Sequence, residues 1–400
     1  MKFFIERFRR FCGFITGFVF FISGILKLLD PVGAGLVMDE YFSFLHLGFL
    51  SFAAKVSGTA FALAETIIGT ALITGVWRKS TAIAAMAFQA FFTILTLILV
   101  IFNPEMDCGC FGEAIHLTHM QTFVKNLVLC ALLAAAFIPL RGLGRPRPRK
   151  YVSFGIVTAA AVAFMIYSWT YIPMVDFTDY KPGTTLATGN VSAEDAYEAR
   201  FIYEKDGVQE SFDLEHLPDS SWTFVSTETV LKDGYKAPVT ISFTGQNGEY
   251  SDHLAAEGKV MIISVYDPEM RHGKWARAAR LITESRNAGI TPLLLIAALP
   301  EDADKAFADL PEDTAETLKS CMFHSDRKTL LTLNRSNCGA TYFNNGTLIR
   351  KWACKAIPDM QKLEELSQSN GLEESIDKDT KGSLGFQGFL LYVFAVMLLL

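Results

Sequence analysis

The chain has 400 residues, half of them hydrophobic and 33 of them phenylalanine, with 20% charged residues and a formal net charge of −6. A water-dissolved globular protein of this size is more polar, so the composition argues against one and requires long apolar segments. It also argues against a nucleic-acid partner, because no basic patch is interleaved with aromatics.

Apolar runs at 11–29, 56–76, 80–102, 121–140 and 151–173 predict transmembrane helices, each close to the roughly 20 residues that cross about 30 Å of hydrocarbon. A sixth run, 384–400, is only just long enough. The basic leader "MKFFIERFRR" resembles the start of a signal peptide, but the apolar run behind it is too long and lacks a small-x-small cleavage site. It is read as a retained helix.

Basic residues set the expected orientation. Lys2, Arg7, Arg9 and Arg10 precede the first helix, and Arg78 and Lys79 join the second to the third. Arg141, Arg145, Arg147, Arg149 and Lys150 join the fourth to the fifth, in the topology anchor "RGLGRPRPRK". The alternate loops are poor in basic residues: 30–55 carries only Lys55, and 103–120 carries none. The N-terminus and the basic loops are therefore expected in the cytoplasm of a bacterial inner membrane, with 103–120 and 174–383 outside.

Four polar residues interrupt the helices: Lys27, Glu65, Gln89 and Lys125. The two lysines lie near the outer boundary, where they are expected to snorkel to the headgroups. Glu65 lies near mid-depth, where a carboxylate costs about 3 kcal/mol or more unless protonated or paired. It should face the bundle interior with a functional role, partnered by Lys27 or Lys125, and a quinone near it is a candidate electron acceptor.

The outer loop "NPEMDCGCFGEAIH" (103–116) holds Cys108 and Cys110 around Gly109. Thiols in an oxidising compartment pair or react. Cysteines one residue apart close a strained ring whose disulfide oxidises other thiols readily. The carboxylates Glu105, Asp107 and Glu113 would raise thiol pKa. Three readings remain: a redox pair, a metal site built from Cys108, Cys110, His116 and His119, or a quiet structural loop. Cys12 and Cys130 are expected to be small core residues.

Turn signals "YKPGTT", "KDGYKAP" and "GQNGEYSD" between short alternating runs predict a β-rich module over 174–256. From 257 to 366 the pattern becomes strand, helix, strand and helix, then "CMFHSD", "RKTLLTL" and the hairpin "GATYFNNGTLIRKWA". This order resembles the thioredoxin-like fold, although "VYDPEMRHGKW" after its first strand lacks the C-x-x-C pair. That resemblance implies a proline eight residues ahead of Gly346, and the residue there is Cys338. Two readings follow: an altered thiol site around Cys338, or a binding domain with a structural Cys321–Cys354 or Cys338–Cys354 bridge.

The segments "GFVFFISGILKLLDP", "ALAETIIGTALITGVWRKSTA" and "CGCFGE" resemble the DoxX-like superfamily, in its MauE branch named for methylamine utilisation. The resemblance spans roughly 10–140 and implies a four-helix unit that supports disulfide formation in a disulfide-rich envelope protein. The expected fold is an α-helical membrane bundle, residues 1–140, extended by a basic loop and fifth helix (141–173). The β-rich module, the thioredoxin-like α/β domain, a linker (367–383) and a last helix (384–400) follow. The expected partners are the lipid bilayer and a thiol-containing client outside the cytoplasm. Three functional classes stay open: a thiol-disulfide oxidoreductase or its accessory, a membrane-anchored scaffold, and a metal-handling membrane protein.

Overall fold

The computed structural model describes residues 2–104, 106–140, 146–187, 197–205, 208–214, 216–219, 221–231, 239–368 and 371–399. The expectations that rest on Glu105, Arg141, Arg145 and the turn at 232–238 lie outside the described residues. The chain divides into two compact units, Met1–Thr178 with Asp377–Leu400, and Asp179–Ile376.

The first unit is helical. It contains α1 (Lys2–Leu29), α2 (Pro31–Phe44), a 3-10 turn (Gly48–Ala53), α3 (Ala54–Thr74), α4 (Arg78–Phe102), the short extended β1 (Cys110–Glu113), α5 (His119–Phe137) and α6 (Pro148–Thr170). The last helix of the chain, Gly371–Leu399, also reaches into this unit. Among the described residues, six helices are long and apolar enough to cross a bilayer. Without a hydrophobic drive between helices in lipid, they hold together by close packing. The α1–α3 seam displays this: a Cβ on Gly69 would meet the backbone nitrogen of Phe21 at 2.5 Å, and one on Gly24 would collide with Thr66. At the chain's end, Phe164 of α6 stacks on Phe389 at 4.7 Å. Lys150 Nζ and Ser153 Oγ donate to the carbonyls of Met397 and Val396, each at 2.9 Å. The last helix thus runs antiparallel to α6, and two of its otherwise orphaned carbonyls are satisfied.

Loop 30–55 differs from the plain connection expected. Asp30 caps α2 by accepting from the backbone nitrogens of Val32 and Gly33, and Pro31 opens its first turn. An N-cap aspartate followed by proline is a strong helix start. Its 14 residues are too few to cross a bilayer.

Among the described residues, the second unit holds two sheets. The first is antiparallel, in the order β3-β2-β4, from β2 (Tyr197–Lys205), β3 (Val208–Phe212) and β4 (Thr223–Leu231). Its ring pairs, Tyr203 with Phe212 and Phe224, and Phe212 with Trp222, knit the strands. The second runs through β5 (Lys259–Val265), α7 (His272–Asn287), β6 (Thr291–Ile296), α8 (Pro300–Phe307), α9 (Glu312–Lys319), β7 (Met322–His324), α10 (Arg327–Leu333), β8 (Gly339–Asn344), β9 (Thr347–Trp352) and α11 (Met360–Gln368). The order is β7-β6-β5-β8-β9, with β5, β6 and β7 parallel and β8 and β9 antiparallel additions.

The apolar run in β5 follows from burial on both faces. Met261, Ile263 and Val265 pack with Trp275, Leu281 and Ile282 of α7 on one side. Val260 and Ile262 pack with Leu330 and Leu333 of α10 on the other. The turn signals suggest a border at 256, but Ile241 and Phe243 are buried in that same second cluster. Residues 184–186 lie beside β9 and Thr244 beside β7 through backbone bonds. Segments from the β-rich part therefore cover both edges of the five-stranded sheet, which removes unpaired strand edges.

Candidate functional site

The loop after α4 is held in place by backbone contacts. Gly109 and Gly112 take φ of +59° and +60°, the left-handed region that glycine enters without steric cost. A Cβ on Gly109 would also collide with Val37 of α2. Tyr41, likewise on α2, donates its hydroxyl to the Cys108 carbonyl at 3.1 Å. Ser23 of α1 donates to the Cys110 carbonyl at 2.5 Å. Cys108 is buried and Cys110 half-buried.

Cys108 has a specific partner. Its Sγ lies 2.9 Å from Nδ1 of His119, whose Nε2 lies 2.9 Å from the Pro104 carbonyl. A carbonyl only accepts, so Nε2 carries the proton of the neutral ring, and Nδ1 is left to accept from the thiol. His119 is fixed because it begins α5 behind a capping box, in which Thr118 Oγ1 accepts from Gln121 N and Gln121 Oε1 accepts from Thr118 N. Burial pushes the Cys108 thiol up, and Cys110 and Asp107 add to this, while Thr122 and Lys125 oppose it.

Glu65 and Lys27 form an ion pair at 2.6 Å, with side chains only 11% and 16% exposed. Lys27 also donates to Ser23 Oγ at 3.2 Å. The expectation that Lys27 snorkels is therefore corrected: a carboxylate near mid-depth gains more from a direct partner than the lysine gains from headgroups. Lys125 instead sits 5.0 Å from the centre of the Phe111 ring. The pair and Ser23 together form a polar path from Glu65 to the carbonyl of Cys110.

The four residues of the metal reading are not gathered. His116 pairs with Asp107 at 3.2 Å, and both are more than half exposed. Among the described residues, no group of three or more His, Cys, Asp or Glu is arranged to hold a metal ion. In the second unit, Cys338 and Cys354 are buried in the same cluster, and Cys354 N donates to Oγ of Ser336, two residues before Cys338, at 3.0 Å. Cys321 stands apart, over the carbonyls of Thr317 and Leu318. All seven cysteines are free thiols.

Sequence reasoning missed Tyr41 and Ser23 as holders of the loop. The Asp30-Pro31 helix start would have found α2, and with it Tyr41. Nothing in the spacing of Ser23 reports a contact made 87 residues away.

Among the described residues, five membrane-length apolar helices, a β-containing unit and a sixth such helix follow one another in the chain, which defines a multi-pass α-helical membrane protein with an added β-containing unit. Residues 5–139, which run from α1 to just past α5, match the family model of the methylamine utilisation protein MauE. Residues 197–233, which include the strands β2, β3 and β4, match a domain of unknown function (DUF8463). No curated protein matches the chain. No solved structure does so either.

Proposed function

We propose that the protein carries out or supports thiol-disulfide exchange on envelope proteins, with Cys108 as the attacking thiol and Cys110 as the resolving one. The observation that carries this is the 2.9 Å contact between Cys108 Sγ and a histidine nitrogen free to accept its proton. A thiol raised by burial is a poor nucleophile until a base removes its proton, and His119 is placed to do so. The thiolate attacks a disulfide of the client, one client sulfur leaves as a thiolate, and Cys110 then closes on Cys108 and releases the second. Two electrons pass from the cysteine pair to the client disulfide. The reverse sequence oxidises a client dithiol, and the MauE resemblance favours that direction. In that direction the two electrons would have to pass on to an acceptor, and a quinone, if bound near Glu65, would supply that oxidising capacity, with Glu65 and Lys27 as the polar groups placed to hold it.

The five-stranded domain is thioredoxin-like on this reading, supported by its β-α-β core followed by an antiparallel hairpin. It binds the client. The bare segment between β5 and α7, which holds no cysteine, favours a second reading in which this domain only binds.

Exchange passes through a mixed disulfide, so Cys110→Ser should trap a client on Cys108 as a covalent adduct on non-reducing gels. Cys108→Ser should trap none, and adding His119→Ala to Cys110→Ser should reduce the adduct. Absence of any adduct from Cys110→Ser would overturn the proposal.

A further inference from the structure

The second unit contains a thiol pair that no short motif announces. Cys338 and Cys354 are 16 residues apart in sequence, and the fold brings them together. Cys338 lies at the entry to β8 and Cys354 at the exit of β9. Both are buried in the core cluster beneath α7.

The segment that carries Cys338 is fixed from three sides. Asn337 Oδ1 accepts from the backbone nitrogens of Tyr266 and Asp267, and its Nδ2 donates to the Asp267 carbonyl at 2.7 Å, which ties it to the end of β5. Cys338 N donates to the Ser264 carbonyl at 2.8 Å. Ser336 Oγ accepts from the backbone nitrogen of Cys354 at 3.0 Å. Asn334 Nδ2 donates to the carbonyls of Ala340 and Trp352. These bonds hold Cys338 at φ +66°, a conformation uncommon for a residue with a side chain and retained where the surroundings impose it. Its thiol then faces the first turn of α7, 3.4 Å from the Lys274 carbonyl.

We infer that Cys338 and Cys354 form a second redox centre, a dithiol at the head of α7 that exchanges with peptide or protein disulfides, with Cys354 as the entering thiol and Cys338 as the resolving one. This stands on the geometry of the second unit alone and does not depend on the reading of the Cys108 loop.

The electrostatics agree with those roles. Interaction with Cys338 holds Cys354 below the usual thiol range against the effect of burial, and Lys274 and Arg277 add to it. The same interaction, with burial, holds Cys338 well above that range. The pair therefore rests as a thiolate beside a thiol. The Cys354 thiolate attacks one sulfur of the partner disulfide, and the other sulfur leaves as a thiolate. Cys338 then gives up its proton and attacks Cys354, which expels the second partner sulfur. One disulfide closes within the domain as one opens in the partner. Two electrons are transferred, and the partner's two sulfurs take up the Cys338 proton and one from solvent.

Cys321 is the internal control. It lies in the same core cluster, 8% exposed against 4% for Cys354, and burial raises its thiol. The purified full chain in detergent is equilibrated in mixtures of reduced and oxidised glutathione, quenched by alkylation, digested and read by mass spectrometry. The expected result is a Cys338–Cys354 linkage that forms and reopens as the glutathione ratio changes, with Cys321 unlinked. In Cys338→Ser, glutathione should accumulate on Cys354, whereas in Cys354→Ser little should accumulate on Cys338. Near neutral pH, Cys354 in the reduced wild type should alkylate roughly tenfold or more faster than Cys321, because the thiolate is the reacting form. The inference is overturned if the wild type forms no linkage at any ratio, or if the linkage once formed resists reduced glutathione in the folded protein, as a structural bridge does. Preferential glutathionylation of Cys338 would equally overturn the assignment of Cys354 as the entering thiol.

Discussion

Glu65 and Lys27 test whether one ion pair sustains the bundle. Removing one partner leaves an uncompensated charge in a nearly dry site, at a cost of about 3–5 kcal/mol. Lys27→Ala and Glu65→Leu should therefore each lower the thermal midpoint in detergent markedly. Glu65→Gln should be milder, because an amide oxygen still accepts from Lys27. The double variant Lys27→Met with Glu65→Leu should recover most of the loss, since apolar replacement of both charges leaves nothing unpaired. Wild-type melting of both single charge-removing variants would show that the pair carries no stability. The sequence marked Glu65 as needing a partner, because a mid-depth carboxylate is costly wherever it occurs. It left Lys27 and Lys125 as equal candidates, because the choice depends on which helix faces α3. Cys338 and Cys354 are the harder case: their pairing is made by a hairpin and a loop bent through a left-handed residue.

At the scale of elements, the α1–α3 seam depends on residues without side chains. Gly69→Leu would drive a side chain into the backbone of α1 at Phe21. Overpacking of this kind costs about 1–3 kcal/mol and should appear as a lower melting temperature. Gly155→Ala on α6 meets nothing within 4 Å and should melt like the wild type. Equal behaviour of the two variants would argue that the seam is not closely packed. Long helices were legible from their apolar runs, although the first begins at Lys2, well before its apolar stretch, since polar residues continue a helix once it has formed. The covering segments at 184–186 and Thr244 were not legible. Their backbone bonds are made to distant segments, which no local pattern encodes.

For the whole molecule, the loop charges predict one topology. A membrane-impermeant thiol reagent applied to intact spheroplasts after mild reduction should label the Cys108 loop without lysis. Labelling that requires lysis would reverse the orientation and remove the oxidising compartment from the argument. The packing of the last helix bears on the same point. Its end lies beside the first turn of α6, which follows the basic loop, so the C-terminal end of the chain is expected on the cytoplasmic side.

The sequence by itself determined that the chain is a multi-pass membrane protein, because hydrocarbon admits only long apolar helices and their lengths are fixed by bilayer thickness. It also determined the strand and helix order of residues 257–366, because burial on both faces of the five-stranded sheet leaves continuous apolar runs. Only the tertiary structure decided which polar groups meet: Glu65 with Lys27, Cys108 with His119, and Cys338 with Cys354. Each of these contacts joins separate segments across a loop or a helix seam, and its distance is set by packing that no local spacing records.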